Sequence, residues 1–535
     1  MKRFNGIALS VAFCSLASQA ALAQTKIDTL KVQNLNEVIV KGVRAAKEAP
    51  YAVANIRKSE LKQFSCSGQE LPFLLSRTPG ILAWSENGIG TGTTYMRIRG
   101  AAGSRINVTL DGVALNSPED QTVFWANMNS YSSLLGSIQV QRGVGSSTNG
   151  DGAFGGSISM ATAAPSLTPT AEVTGSFGSY NTYHTGASFS TGLLGKHLIF
   201  DGAYHETATD GYVDGTAGRS GSYYGGLTWL GDNFKVSYKN IGNFEKTGQA
   251  WNGVLGGDYN SNFTLLQDGI RTYKDMYKAG LDKFNVLTGD MVRNGKGDYT
   301  ITPYTLRDGS KWDKTTDNFY QNHNILSATW TPNSHWSHSL SLHYTYGYGY
   351  YKEFKNNAKF AKFGLVYYDA DGNFIKKSDF IRKKGLTQHT YGMVYNTNYK
   401  DEHWDVIGGL NLQQFRGNHW GYLTYIANQD AEKKFFGSNG KYKYYDSDAH
   451  KYDYSAFIKA SYRFADYWNA FADLQYRRVE YKTDGINDKF IALKDGSYKN
   501  QELNINEKYN FFNPKAGISF NKDGHKAYAS VAYSN

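Results

Sequence analysis

The chain has 535 residues, of which 19% are charged and 15% are aromatic, and its formal net charge is +10. The 41 tyrosines and 57 glycines are more than a soluble α/β enzyme usually carries, whereas a transmembrane β-barrel requires this mixture for its polar lumen, apolar outer face and aromatic girdles. The basic residues form no long block, so the charge predicts no nucleic-acid partner.

Residues 1–23 have the pattern of a cleavable secretory signal peptide. Lys2 and Arg3 precede an apolar stretch, and the tripeptide ALA at 21–23 fits the small-x-small cleavage rule. Beyond this segment, no run approaches the roughly 18 apolar residues that a spanning helix requires. After cleavage Cys66 is the single cysteine, which excludes an intrachain disulfide and a cysteine-based metal site. The chain is therefore predicted to be exported.

Residues 24–50 are predicted to form an extended, flexible leader. Within it, residues 35–41 have the β-prone sequence LNEVIVK. A free extended strand of this kind can add to the sheet edge of a periplasmic partner, with backbone hydrogen bonds supplying the affinity. The alternative is that these residues are simply the first strand of the domain that follows.

Residues 51–164 are predicted to form a small α+β domain. Short helices are expected at 59–62 and 69–76, and short strands at 95–99, 106–110 and 137–142. Asp111 and Gly112 are a strong turn-forming pair between two of these segments.

Four short motifs follow one another along this domain. They are Pro79-Gly80-Ile81, Arg97-Ile98-Arg99-Gly100, Leu110-Asp111-Gly112-Val113, and Gln141-Arg142-Gly143 before a glycine-rich run. With these motifs the sequence resembles the plug domain of TonB-dependent outer-membrane receptors. The resemblance implies a plug inside a β-barrel in the cell outer membrane, which opens when an inner-membrane motor pulls on it. It also implies that residues 35–41 are the TonB box, in which Glu37, Val38, Ile39 and Val40 bind a TonB-type periplasmic energy transducer.

The resemblance assigns an anchoring role to the two Arg-Gly motifs. A buried guanidinium needs a carboxylate partner, and in the family these arginines pair with glutamates of the barrel wall. Gln139 stands where the family often has Glu, which removes one plug-side carboxylate. The alternative is that the arginines are exposed turn residues. The anchoring residues implied are Arg97, Arg99, Gly100, Arg142 and Gly143.

The family binds its ligand between the plug apices and the extracellular loops. Two plug loops match these apices by position, at 84–93 and at 116–125. Exposed aromatic rings beside amide and carboxylate groups suit a chelate-type ligand, although the aromatic residues could instead pack against the barrel. The ligand-facing candidates are Trp84, Glu86, Asn87, Asn116, Glu119, Asp120, Gln121, Phe124 and Trp125.

Residues 165–535 are predicted to form an outer-membrane β-barrel. Alternation is clearest at 338–346, where Leu340, Leu342 and two tyrosines share one face and serine, histidine and threonine the other. Short turns at 230–233 and 521–524 contrast with long polar connections near 245–315, 350–385 and 425–452. A soluble β-sandwich would favour Val, Ile and Leu over Tyr and Gly on its apolar faces.

The family closes its barrel with about 22 strands. Strand spacing here gives roughly 14 to 16 strands, and residues 527–535 look like a strand from the middle of a barrel. The sequence is therefore predicted to be C-terminally truncated, with a partial barrel.

The expected function is TonB-dependent import of a scarce metal chelate, foremost a ferric siderophore. Cobalamin and haem are alternatives within the family, and a surface adhesin or passive pore without energy coupling is the alternative of another class. No zincin, nucleophile-elbow or P-loop motif occurs, so no enzyme activity, catalytic residue, cofactor or protein-held metal is predicted. The expected partners are the transducer, the chelate, outer-membrane lipid and, as a further candidate, a surface lipoprotein.

Overall fold

The computed structural model describes residues 44–45, 52–144, 154–253, 269–293 and 298–533. The predicted signal peptide at 1–23 and the run at 35–41, with Glu37, Val38, Ile39 and Val40, lie outside the described residues. Among the residues that are described, no helix is long and apolar enough to cross a membrane.

The N-terminal domain, the plug, is a mixed α+β unit. Its sheet has the strand order β1-β6-β7-β4-β5, and all neighbours are antiparallel except the parallel pair β4 and β7. A separate hairpin joins β2 and β3. The strands are β1 Ala52–Arg57, β2 Ile81–Ser85, β3 Thr94–Ile98, β4 Ile106–Leu110, β5 Val113–Ala114, β6 Leu135–Arg142 and β7 Gly156–Thr162. The helices are α1 Lys58–Ser65, α2 Leu71–Leu75 and α3 Tyr131–Leu134, with 3-10 turns at Gly103–Arg105 and Trp125–Met128.

The plug folds around an apolar core, as a water-soluble domain does. Helix α1 buries Leu61 and Phe64, while Pro72 is accommodated in the first turn of α2, where the backbone N–H has no intrahelical partner. Asp111 and Gly112 form the turn between β4 and β5 in the left-handed region, with φ of 49° and 83°. Glycine adopts this conformation freely and aspartate tolerates it. The strands predicted from sequence agree with β3, β4 and β6 to within two residues.

The remainder of the described chain is dominated by one antiparallel sheet of 13 strands that follow one another in sequence order from β8 to β22, with the separate hairpin of β13 and β14 inserted. The first strands are β8 Thr170–Phe177, β9 Tyr183–Ser190, β10 Leu198–Thr209, β11 Gly218–Leu230 and β12 Phe234–Gly248. The inserted hairpin is β13 Gly289–Arg293 and β14 Tyr299–Pro303. The others are β15 Thr316–Trp330, β16 Trp336–Lys359, β17 Lys377–Lys400, β18 Trp404–Ile426, β19 Tyr442–Ala465, β20 Trp468–Ala492, β21 Tyr498–Lys522 and β22 His525–Ala532.

The sheet buries polar side chains and exposes apolar ones, which is the reverse of the arrangement in a soluble protein. Along β16, Ser339, Ser341 and His343 are buried, whereas Leu342 is 45% and Tyr348 is 39% exposed. An apolar outer face and a polar inner face are what a strand between lipid and an aqueous lumen requires. The β-barrel prediction is therefore confirmed and the β-sandwich alternative is not. The described strands do not close into a ring, because β8 and β22 are the two edges of the sheet.

The two rims of the sheet differ in the length of their connections. At one rim β11 and β12, β17 and β18, and β19 and β20 are joined by only two or three residues. At the other rim longer segments contain helix α4 Tyr273–Lys278 and helix α5 Gln429–Phe436. The connection predicted near 350–385 is shorter than expected, because β16 and β17 continue as a hairpin whose end packs Phe360, Phe363 and Phe380 into an apolar cluster.

Candidate functional site

The first contact between plug and sheet is a buried ion pair. Asp111 Oδ2 lies 2.6 Å from the Nζ of Lys239 on β12, and both side chains are less than a tenth exposed. Thr162 donates to Asp111 through its backbone N and its Oγ1, both at 2.9 Å. Burial alone would raise the pKa of Asp111, but the ammonium and these hydrogen bonds hold it below its ordinary value. The pair ties the β4–β5 turn of the plug to the wall.

A second contact holds the apical loop at 116–121. Glu119 accepts a hydrogen bond at 2.9 Å from the hydroxyl of Tyr481 on β20, and its other oxygen lies 2.6 Å from Nε2 of His419 on β18. Lys451 on β19 donates to the carbonyl oxygen of Pro118 at 2.8 Å. Burial opposes ionisation of Glu119, but the bond with His419 and the other contacts lower its pKa overall. This loop is therefore fixed to strands far along the sheet from β12, so the sheet wraps around the plug.

A third contact involves the loop at 84–93. Glu86 accepts from the backbone N of Ala250 at 2.8 Å and from the hydroxyl of Tyr95 at 2.6 Å. Thr93 donates to the side-chain oxygen of Gln249 at 2.9 Å. Burial raises the pKa of both Glu86 and Tyr95. Because residues 249 and 250 directly follow β12 at the rim with long connections, this plug loop lies near that rim.

Between these contacts lies a cavity of about 400 Å³, called here the apical cavity. The plug supplies β3, the start of β4 and the loop at 122–126. The wall supplies the ends of β12, β15 and β16 at the rim with long connections. Carboxylates and aromatic rings mark its surface, and its described lining contains no lysine or arginine. The charged and aromatic lining residues are Tyr95, Phe124, Trp125, Glu245, Trp251, Asp317 and Tyr351.

The aromatic candidates occupy different environments. Trp125 is only 5% exposed and packs under the plug apex, whereas Phe124 is 55% exposed beside the apical cavity. Trp84 is also exposed; its ring stacks on Tyr95 at 5.4 Å, and the Arg97 guanidinium lies 6.0 Å from its centroid. Phe124 and Trp84 are thus the aromatic candidates that a ligand can reach.

The polar candidates mostly shape the loops. Asn87 and Asn116 are buried and hydrogen-bonded within the plug; Asn116, for example, accepts from Val108 N and donates to the carbonyl oxygens of Ile106 and Gln121, each at 2.8 Å. Asp120 accepts hydrogen bonds from the backbone N and the hydroxyl of Thr122. The Gln121 amide donates to the carbonyl oxygens of residues 117 and 118.

The predicted anchoring arginines contact the plug itself. Arg142 donates to the carbonyl oxygen of Pro79 at 2.8 Å, and Arg97 to that of Gly100 at 3.2 Å. Arg99 is exposed with a φ of 49°, beside Gly143. Within the described residues no ion pair of these arginines with a barrel carboxylate is formed, and their anchoring role stays a prediction.

Sequence reasoning missed the wall side of every contact. The strands that carry Lys239, His419 and Tyr481 contain no recognisable sequence motif. Nothing in the local sequence relates these residues to the plug. Lys239 continues the inward series of Lys235 and Ser237 on β12, so alternation alone could have placed it in the lumen. Among the described residues, no group of three or more His, Cys, Asp or Glu side chains is arranged to hold a metal ion.

Comparison with known proteins agrees with this architecture. Residues 45–157 match the family model of the TonB-dependent Receptor Plug Domain. A comparison with curated proteins gives no match.

Similar solved structures include three at 12% sequence identity. The open form of the ferric-catecholate import receptor Fiu from E. coli K12 has a TM-score of 0.64 and is matched over 92% of this chain and 70% of its own. The ferric yersiniabactin uptake receptor FyuA from Yersinia pestis has a TM-score of 0.60, over 90% and 64%. The siderophore receptor PiuA from Acinetobacter baumannii also has 0.60, over 93% and 66%. The chain thus spans about two thirds of these structures, and at this identity the likeness concerns the fold.

Proposed function

We propose that this chain, which belongs to the TonB-dependent receptor family, acts in energy-coupled import of a ferric chelate across the outer membrane. The observation that carries the proposal is the apical cavity, which lies between the plug and the wall at the rim with long connections. Its volume of about 400 Å³ is within the range of small-molecule sites. The similar structures are described as receptors for ferric catecholate, ferric yersiniabactin and a siderophore, which supports an iron chelate as the ligand class.

The lining of the cavity favours a neutral chelate over a highly anionic one. Glu245 and Asp317 contribute carboxylates, and the described lining has no basic residue to offset them. Aromatic rings suit the apolar arms of a chelator, and Phe124 is exposed where it can contact them. A ferric trihydroxamate, in which the ligand neutralises the metal, fits this chemistry better than a ferric tricatecholate, which carries excess negative charge.

The proposed mechanism assigns one role to each part of the chain. The ligand binds at the apical cavity, against β3 and the loop at 122–126. The ion pair of Asp111 with Lys239 and the contacts of Glu119 hold the plug in the lumen until force is applied. Residues 35–41, with Glu37, Val38, Ile39 and Val40, bind the periplasmic transducer, and the arginine motifs assist plug anchoring.

The test uses deletion of the complete gene, followed by growth under iron starvation with single ferric chelates, with haem, and separately with limiting cobalamin. We expect loss of growth on a trihydroxamate chelate, restored by the intact gene but not by a variant lacking residues 35–41. A double variant, Glu245→Gln with Asp317→Asn, keeps the shape of the cavity and removes its carboxyl groups.

Each outcome separates the candidate functions. Full rescue by the variant lacking residues 35–41 would exclude energy coupling and favour a passive pore or an adhesin. A defect confined to cobalamin or haem would keep the family mechanism and change the ligand. Unchanged chelate preference in the charge-neutral double variant would refute the role of the carboxylates in selection.

A further inference from the structure

A second pocket lies on the outside of the sheet, away from the plug. It has a volume of about 360 Å³ and spans four neighbouring strands, β16 to β19, with the start of β19 and the residue before it forming one side. We call it the outer basic pocket. Its lining residues are Tyr348, Tyr350, Lys383, Asn418, Trp420, Tyr422, Thr424, Lys441 and Lys443.

Strand register places this pocket on the lipid side of the wall. Leu342 pairs with Met393, which pairs with Leu412, and both leucines are exposed on the apolar face. Side chains alternate along a strand, so positions an even number of residues away point the same way. Tyr348 and Tyr350 are even steps from Leu342, and Trp420 and Tyr422 are even steps from Leu412. The pocket therefore opens outward, while His343 and its neighbours face the lumen.

The height of the pocket follows from the same strands. On β18 the outward positions from Trp404 to Leu412 are apolar or glycine, and from Gln414 onward they become polar. A membrane-crossing strand needs about 9–11 residues, so Trp420 lies beyond the apolar band, toward the rim with long connections. Long loops of outer-membrane barrels are extracellular. The pocket thus lies at the level of the headgroups of the outer leaflet.

Two of the three lysines of the pocket have no carboxylate partner among the described residues. The Nζ of Lys383 lies 4.4 Å from the ring centroid of Tyr350, and that of Lys441 lies 4.4 Å from the ring of Tyr422. Lys443 pairs with Asp446, but within the described part of the chain neither Lys383 nor Lys441 forms an ion pair. Two ammonium groups therefore lie over aromatic rings, and their N–H donors are available to a ligand.

The floor of the pocket is built to hold an aromatic ring. Gly385 lies opposite Trp420 on the neighbouring strand, and a Cβ at Gly385 would come within 2.4 Å of the Trp420 ring. Only glycine leaves this ring room to lie against the backbone. Tyr348 stacks beside the same ring at 6.3 Å. Flat aromatic surfaces beside cationic groups suit a ligand that combines a sugar ring with a phosphate.

We propose that the outer basic pocket binds the phosphorylated saccharide headgroup of a glycolipid of the outer leaflet. Lys383 and Lys441 bind the phosphate, and Trp420 with the adjacent tyrosines packs against the sugar. The source of the phosphate is a lipid, because the pocket faces the bilayer at headgroup height. A girdle of aromatic residues alone would account for the rings but not for two lysines without carboxylate partners.

The test measures the lipopolysaccharide that remains bound to the complete receptor after purification from its own outer membrane in mild detergent. Native mass spectrometry counts the bound molecules in the wild type and in the double variant Lys383→Gln with Lys441→Gln. The control is Lys482→Gln with Lys508→Gln, two other exposed lysines of the sheet, whose ammonium groups already face Asp484 and Glu480. We expect a loss of about tenfold in the first variant, from removal of two charge-assisted contacts, and little change in the control.

Two further measurements fix the chemistry and the source. The wild type should rebind dephosphorylated lipid A only weakly. This binding should be as weak as that of intact lipid A to the first variant. Inorganic phosphate at millimolar concentration should not displace intact lipid A. Equal retention by both variants, or equal binding of dephosphorylated lipid A, would overturn the proposal, and displacement by inorganic phosphate would overturn the lipid as its source. Heat-modifiable migration on gels establishes that each variant is folded.

Discussion

The plug and the sheet are parts of one chain that are organised by opposite rules. The buried side chains of the plug include Leu75, Val140 and Ile158, each with essentially no exposed surface. In the sheet the buried positions are rich in Ser, Thr, Asn and Lys, while Leu342 and Trp468 face outward. Burial of apolar surface away from water drives the first arrangement. In the second, complete backbone pairing is required and the lipid, not the protein, covers the apolar face.

This contrast explains why the boundary between them is polar. The plug turns a hydrophilic surface to the lumen, as any water-soluble domain would, and the inward faces of the strands are hydrophilic as well. The two meet largely through hydrogen bonds and ion pairs, of which the pair of Asp111 with Lys239 is the most buried, and Ile241 of β12 adds an apolar contact with the plug core. Such contacts are specific in position, and water can replace them if the two surfaces separate.

The largest effect is expected at this boundary. Lys239→Met leaves Asp111 buried without its cation, which should destabilise the seated plug by about 3–5 kcal/mol. Asp111→Asn in the same chain should restore much of the loss, because no buried charge remains. Protease sensitivity of the plug, measured against urea in lipid vesicles, gives both values. A double variant no more stable than Lys239→Met would show that the ion pair is not the contact that matters.

The pH dependence of the same pair has a defined sign. The folded-state pKa of Asp111 is below its ordinary value, so its stabilisation is present at neutral pH and is lost as pH falls through the folded-state pKa. In Lys239→Met the buried carboxyl should instead have a raised pKa, and acidification should stabilise the plug. Between pH 5 and pH 8 Asp111 should contribute no slope in the wild type, whereas Lys239→Met should lose additional stability as pH rises; parallel urea titrations at the two pH values measure this difference.

The next effect compares identical substitutions in the two environments. Leu75→Ala creates a cavity in the plug core and should cost about 2–5 kcal/mol of unfolding free energy. Leu342→Ala, on the lipid face of β16, removes the same atoms without opening a cavity and should cost much less. Similar losses in the two variants, measured in vesicles, would mean that the outer face is packed against protein.

A separate, pH-dependent effect concerns Glu70, which is buried in the plug. Burial raises its pKa to about 8, while Asn129 and the backbone N of Gly92 donate hydrogen bonds to it. The folded plug therefore keeps a proton that the unfolded chain releases above its ordinary pKa, so stability should fall by up to about 1.4 kcal/mol per pH unit as pH rises toward 8. Glu70→Gln should flatten this slope; an unchanged slope would assign it to another group.

The smallest effect is expected for the arginine motif. Arg142→Ala removes one hydrogen bond to the Pro79 carbonyl oxygen and should cost about 1 kcal/mol. The same protease assay gives the comparison with Lys239→Met. A larger cost for Arg142→Ala would indicate that the arginine pairs with a carboxylate of the wall, as the family resemblance implies.

Local sequence was sufficient for much of the fold. The alternation around Leu342 identified both faces of β16, and the Asp111-Gly112 pair identified a turn, because both depend on residues close together in the chain. The lengths of the strands beyond the membrane could not be predicted. They depend on the cluster of Phe360 and Phe380, whose members become neighbours only after the hairpin forms.

The candidate site divides in the same way. Loop position identified Phe124 and Glu119 near the plug apex, and the structure places both there. The partners of Glu119, His419 and Tyr481, are about 300 and 360 residues away in sequence, and no local pattern relates them. For Asn116 the residue type suggested a ligand contact, whereas its hydrogen bonds within the loop are visible only in three dimensions.

The strand order of the plug sheet also determines how the domain would respond to mechanical load. Strand β1 is an edge strand, paired only with β6 among the described strands, through six residue pairs from Ala52 to Arg57. Among the described strands it is also the one closest in sequence to the predicted leader. A pulling force on the leader would reach β1 before the central pair of β6 and β7. The plug sheet would then yield from its edge inward, with the parallel pair of β4 and β7 protected until late.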